Sequence, residues 1–105
     1  MEPKGKTALI TGGAVRVGKA ITLELARAGA NVVINYHSSA DAAMQTCDEA
    51  RALGVGALAI QADIREQNQV EKMVADAVNQ FGSIDILINS ASLWQQTPFP
   101  TDDLT

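Results

Sequence analysis

Eight consecutive residues, Thr11-Gly12-Gly13-Ala14-Val15-Arg16-Val17-Gly18, are the densest candidate for chemistry in the 105-residue chain. They follow a short apolar run and open a helical pattern. Glycine lets backbone approach an anion, the N–H groups of a helix's first turn point at it, and the helix dipole adds a favourable field. The segment reads as a phosphate cradle; the plainer alternative is an ordinary strand-to-helix turn. Two phosphate-binding patterns overlap. Gly13 to Lys19 satisfies P-loop spacing up to its lysine. Ala20 then stands where Ser or Thr should hold magnesium, and the fourth apolar run ends in Asn89 rather than Asp. A triphosphatase would lack both metal anchors, which leaves the dinucleotide pattern.

The second apolar run bears on which dinucleotide. An NAD site puts an acidic side chain at the end of that strand, about 20 residues past the glycines, to hold the ribose 2′-hydroxyl. Asn35, Tyr36 and His37 stand there, and no carboxylate follows until Asp41. A 2′-phosphate would meet no repulsion from this segment. Arg16, the hydroxyls of Ser38 and Ser39, and N–H groups at the start of the next helix could receive it, which favours NADP(H) over NAD(H). Ser38 with Asp41 also fits a capping box, so the serines act as cap alone or as cap plus phosphate contact. His37, the only histidine, is a phosphate contact or a solvated side chain.

These residues need a frame, and the hydrophobic pattern supplies one. Continuous apolar runs at residues 7–10, 31–35, 57–62 and 85–89 read as strands buried on both faces. Helical spacing appears between them: Val17, Ala20, Ile21, Leu25 and Ala28, closed by Gly29; residues 39–53, closed by Gly54; and Val70, Met73, Val74, Ala77 and Phe81, closed by Gly82. Cys47, Met73 and Phe81 belong to the core of this pattern. Strands alternating with crossover helices imply a parallel sheet with helices on both faces. The fold class expected is α/β, a Rossmann-type doubly wound parallel sheet in order 3-2-1-4, truncated after the fourth strand. Residues 1–105 form one unit, the N-terminal dinucleotide-binding portion of a single-domain enzyme.

In that frame Asn89, Ser90, Ala91 and Ser92 lie at the carboxyl end of strand four, beside the switch point where open α/β sheets take ligands. Asp63 lies just past strand three; with Glu66 three residues on, it also fits the N-cap of the following helix. Residues beyond 90, with Pro98 and Pro100, read as loop. A fourth strand of Ile86-Leu87-Ile88 without a neighbour would be a bare apolar edge. The chain is therefore expected to be part of a longer protein, and to be poorly soluble alone.

Composition closes off other classes. Eight Lys plus Arg against twelve Asp plus Glu give a net charge of −4 with no basic run. Nucleic acid and anionic membrane are poor partners for such a chain. A single cysteine excludes an internal disulfide or cysteine-based zinc site. No signal-peptide core or membrane-length apolar run is present, and the expected location is the cytoplasm.

The chain resembles the short-chain dehydrogenase/reductase family, whose turn reads Thr-Gly-x-x-x-Gly-x-Gly. Thr11, Gly12 and Gly18 match, and Arg16 replaces the middle glycine. Asp63 matches the family's adenine-contacting Asp, and Asn89-Ser90-Ala91-Ser92 stands for Asn-Asn-Ala-Gly. The resemblance covers nearly the whole chain. It implies that Gly12, Arg16, Val17 and Gly18 cradle the pyrophosphate, Tyr36, His37, Ser38 and Ser39 face the 2′-phosphate, Asp63 and Ile64 face adenine, and Asn89, Ser90 and Ala91 face ribose and nicotinamide. It also implies a homo-oligomer, tetramer or dimer. Arg16, Tyr36-His37-Ser38-Ser39 and Asn89-Ser90-Ala91-Ser92 further resemble the pteridine reductase branch. There, Ser92 would add a hydroxyl near the nicotinamide and Trp94 would stack on a flat pterin; Trp94 could equally pack against segments beyond this chain.

The family moves hydride between nicotinamide and a carbonyl or imine, using a Tyr with a Lys four residues on. Tyr36 is the only tyrosine, Ala40 stands four residues on, and no lysine follows Lys72. No catalytic residue is assigned, so the 105 residues alone are expected to be inactive. The other function class is a non-catalytic nucleotide-binding or interaction module using the half-fold alone.

Overall fold

Four apolar runs become four parallel strands because each can bury both faces only if helices return the chain across the sheet. The computed structural model describes residues 2–90. The elements run β1 (Thr7–Thr11), α1 (Arg16–Arg27), β2 (Asn31–Tyr36), α2 (Ala40–Ala52), β3 (Ala57–Gln61), α3 (Gln67–Phe81) and β4 (Ile86–Asn89). The strand order is β3-β2-β1-β4, every pairing parallel. The expected topology is the observed one.

The two-residue period of the strands divides the core. Ala8, Ile10, Val32 and Ile34 meet Leu23 and Ala26 of α1 and Ala43, Cys47 and Ala50 of α2. Leu9 and Val33 point the other way, onto Met73 and Ala77 of α3. All of β1 is buried. β4 is not: Leu87, paired in register with Leu9, is 64% exposed. Cys47 is fully buried, and burial pushes its thiol pKa up, so it is a core residue as expected.

Two capping expectations are corrected. α2 starts at Ala40 with Ser39, not Ser38, as N-cap, and no side chain caps it. Ser39 instead offers its carbonyl to the Ala43 N–H (2.9 Å). The N-cap of α3 is Glu66 rather than Asp63. Asp63 spends its carboxylate two residues on, accepting from the Arg65 backbone N–H at 3.0 Å. That Asx turn competes with the cap for the same oxygens.

Candidate functional site

The carboxyl ends of β1 and β4 meet at the switch point, where the chain turns outward on either side of β1. The turn after β1 is held from beneath by buried hydroxyls. Ser90 Oγ donates to the Thr11 carbonyl. Thr22 Oγ donates to the Gly13 carbonyl at 3.3 Å and to Gly18 at 2.8 Å. Thr46, on α2, shares its hydroxyl proton between the Ala14 carbonyl at 3.0 Å and the Ala42 carbonyl of its own helix at 2.8 Å. Thr22, Thr46 and Ser90 are each fully buried. Asn35 adds a fourth tie: its Oδ1 faces the Gly12 N–H (3.4 Å) and its Nδ2 donates to the Ala62 carbonyl (3.1 Å). In a trans peptide the N–H lies opposite the C=O. Carbonyls drawn inward at Gly13 and Ala14 therefore turn the N–H groups of Ala14 and Val15 away from those hydroxyls, as an anion cradle needs.

Gly18 permits the turn to close. A Cβ there would lie 1.9 Å from the Gly12 carbonyl oxygen and 2.8 Å from Ser90 Oγ. Gly12 itself has φ +65°. Arg16 is the one non-glycine with positive φ among the described residues, at +56°. It adopts the left-handed backbone that favours glycine, at a cost on the order of 1 kcal/mol, and is exposed at the start of α1. Val17 is 40% exposed beside it.

A cleft of about 350 Å³ opens from this turn across the ends of β2 and β3, lined by Gly12, Asn35, His37, Ala62, Asp63, Ile64 and Arg65. The structure thus brings Gly12, His37, Asp63 and Ile64 together, four residues separated in sequence by up to 52 positions (64 − 12). His37 is exposed, with Nε2 at 3.9 Å from Asp63 Oδ2. Asp63 is gripped by Arg65 through Nε to Oδ1 (3.0 Å) and Nη2 to Oδ2 (2.9 Å). Those guanidinium bonds, then the Arg65 backbone N–H, hold the Asp63 carboxyl well below the usual carboxylate range. Tyr36 is half-buried and packs against the α1–α2 side of the core. Ser38 is exposed and Ser39 half-buried at the start of α2.

On the other side of the switch point, Asn89 Oδ1 accepts from Thr11 Oγ1 at 2.7 Å. Asn89 is exposed, whereas Ser90 is buried with its hydroxyl turned to the phosphate turn. A second crevice of about 250 Å³ lies between Thr11, Asn89, Leu87 and the α3 residues Val70, Met73 and Val74; Ile64 borders both. Ala91, Ser92 and Trp94 lie outside the described residues. Among the described residues no metal-holding cluster occurs, and no helix is long and apolar enough to cross a membrane.

Sequence reasoning missed Arg65, Thr22 and Thr46, and read Asn35 only as standing in place of an acid, not as a tie between Gly12 and Ala62. Only Thr22 and Thr46 left a signal, as polar residues on the apolar faces of their helices.

A family model for short chain dehydrogenases matches residues 6–105. The chain is 42% identical over 88 residues to the 3-oxoacyl-[acyl-carrier-protein] reductase FabG of Staphylococcus epidermidis, covering 84% of this chain and 36% of that protein. It is 41% identical to the short-chain dehydrogenase/reductase homolog YusS of Bacillus subtilis, covering 99% of this chain and 94% of that one. A Burkholderia cenocepacia protein solved with bound NADP superposes with a TM-score of 0.80 at 42% identity, over 84% of this chain and 34% of that one. A Sinorhizobium meliloti dehydrogenase/reductase gives 0.83 at 38% identity, over 92% and 38%. The chain therefore spans about a third of the length of the reductase and of both solved proteins.

Proposed function

The chain belongs to the short-chain dehydrogenase family, and from that premise we propose that it is the nucleotide-binding portion of an NADP(H)-dependent oxidoreductase acting on a small carbonyl or pterin-like substrate. The observation that carries the reading is the turn after β1. Its carbonyls are tied to buried hydroxyls, and the Gly18 Cα abuts the Gly12 carbonyl with no room for a Cβ. A pyrophosphate fits that surface, and the cleft leading from Gly12 to Asp63 and Ile64 suits an adenosine. When bound, the nicotinamide group supplies or accepts the hydride. The chain's own residues bind and orient. Gly12, Arg16, Val17 and Gly18 hold the pyrophosphate side, His37, Ser38 and Ser39 with Tyr36 border the 2′-phosphate, and Asn89 to Ala91 border ribose and nicotinamide. Ser90 would serve there through its backbone, because its hydroxyl is committed to Thr11.

The preference for NADP(H) rests on the end of β2, where Asn35 replaces an acid, and on Arg16 at the start of α1. We expect NADPH to bind about tenfold or more tightly than NADH, the contribution of one charge-assisted hydrogen bond or more. Calorimetric titration with both cofactors checks it, and equal affinities would overturn it. Arg16→Ala should erase most of the difference; an unchanged NADPH/NADH ratio would return Arg16 to a purely surface role.

The pterin-like option draws on Arg16, on Tyr36 to Ser39, and on Ser92 and Trp94. The FabG relatives are 3-oxoacyl reductases, so activity on an acetoacetyl thioester against a dihydropterin separates the two substrate classes. Turnover needs a proton donor, and the only tyrosine in these 105 residues lacks a lysine four positions on. The proposed reaction therefore needs a proton donor other than Tyr36, and we propose that it runs in a cytoplasmic homo-oligomer. That same observation favours, as a second reading, a module that binds nucleotide without turning it over. Turnover by the 105 residues alone would exclude the module reading.

A further inference from the structure

The NADP(H) reading faces a difficulty that only the three-dimensional arrangement reveals. β2 ends without an acid, yet β3 delivers one to nearly the same place. Among the described residues Asp63 is the one carboxylate lining the adenosine cleft, and its Oδ2 lies 3.9 Å from His37 Nε2, on the segment that follows β2. A bare carboxylate there would oppose a 2′-phosphate as an acid at the end of β2 does. It is not bare. Arg65 engages both oxygens, with Nε and the backbone N–H on Oδ1 and Nη2 on Oδ2, and leaves a lone pair of Oδ2 for adenine. Bidentate geometry fixes the guanidinium in register with the carboxylate plane. The Arg65 side chain is otherwise 76% exposed, so its position is set by Asp63 rather than by packing.

We propose that Arg65 is a specificity-determining residue: it neutralises Asp63 and so makes the adenosine cleft tolerant of a 2′-phosphate. The proposal rests on the NADP(H) reading above and extends it to a residue outside the glycine turn and the β2 end. Asp63 keeps its role toward adenine, which both cofactors share, so removing Arg65 affects the 2′-phosphate selectively. Without Arg65 the cleft changes from a balanced pair to a net negative wall. His37 alone would face that wall.

The test is calorimetric binding of adenosine 2′,5′-bisphosphate and of AMP to the chain and its variants, which needs no turnover. The wild-type chain should prefer the bisphosphate. Arg65→Ala should lower that preference about fivefold, the scale of one unit-charge interaction at close range in water. Arg65→Lys, which keeps the charge but not the fork, should fall between. Asp63→Asn combined with Arg65→Ala should restore the preference, although both nucleotides bind more weakly. The double variant also loses the guanidinium contact, so recovery separates charge from folding. An unchanged preference in Arg65→Ala, or no recovery in the double variant, overturns the proposal while leaving the NADP(H) reading intact. Absence of preference in the wild-type chain overturns the reading beneath it.

Discussion

The phosphate turn and the adenosine cleft share Gly12 and are built on opposite principles. The inner side of the turn is buried and made of backbone, with Val15, Arg16 and Val17 exposed on its outer side. Thr22, Thr46 and Ser90 are fully buried, and each holds a carbonyl of the segment. Its shape depends on steric fit and on neutral hydrogen bonds in a dry environment, where a lost partner is expensive. The cleft is an exposed object made of side-chain charge. His37 and Arg65 are 61% and 76% exposed, and solvent screens what they do. One region should therefore answer strongly to atoms added or removed and hardly at all to pH or salt. The other should tolerate substitution but respond to charge.

The sharpest way to break this contrast is Gly18→Ala. The added Cβ would overlap the Gly12 carbonyl oxygen, at 1.9 Å, and that neighbour is backbone pinned between β1 and α1. We expect a loss of about 3 kcal/mol or more of stability together with loss of nucleotide binding. Urea titration and calorimetry measure both. A variant of native stability would show that the turn yields, and that its rigidity is not steric.

Thr46→Val probes the same region more gently. It keeps the shape and removes the donor to the Ala14 carbonyl, 32 residues away in sequence. An unpaired buried carbonyl costs about 1–3 kcal/mol, and Thr46→Ser should recover most of it. Equal stabilities for Val and Ser would mean that the hydroxyl holds nothing.

What was legible in the sequence follows the same division. The β1 turn could be read because glycines and the flanking strand and helix patterns are local signals. The strand order followed from apolar runs and crossover handedness. The hydroxyl ties were half legible: Thr22 and Thr46 stand out as polar residues on apolar helix faces, but the carbonyls they hold emerge only once each helix is placed against the turn. The cap assignments of Ser38 and Asp63 failed because several polar residues compete for each helix start, and spacing alone does not rank them. Arg65 was hidden because its importance lies in Asp63 arriving beside His37 from a neighbouring strand. β4, read from its apolar run as buried on both faces, leaves Leu87 exposed, because an apolar run alone does not say which strand lies at the sheet's edge.

The smallest effect belongs to the cleft and concerns acid. The Arg65 bonds lower the folded-state pKa of Asp63. A depressed carboxylate pKa contributes stability that is fully present above the unfolded value, about 4. That contribution is lost as pH falls below it, through the folded pKa. Wild type should therefore exceed Asp63→Asn in melting temperature by a constant, modest margin above about pH 5, and the margin should shrink below about pH 4. Arg65→Ala should show a smaller acid-dependent margin over its own Asp63→Asn counterpart, because the carboxyl then titrates nearer its ordinary value. Added salt should shrink the margin at neutral pH. The penalty of Thr46→Val should stay flat over the same range of pH and salt, because no hydroxyl or carbonyl in the turn titrates there. If the Thr46→Val penalty tracks pH as Asp63 does, the two regions are electrostatically coupled through Gly12 and the contrast between them fails.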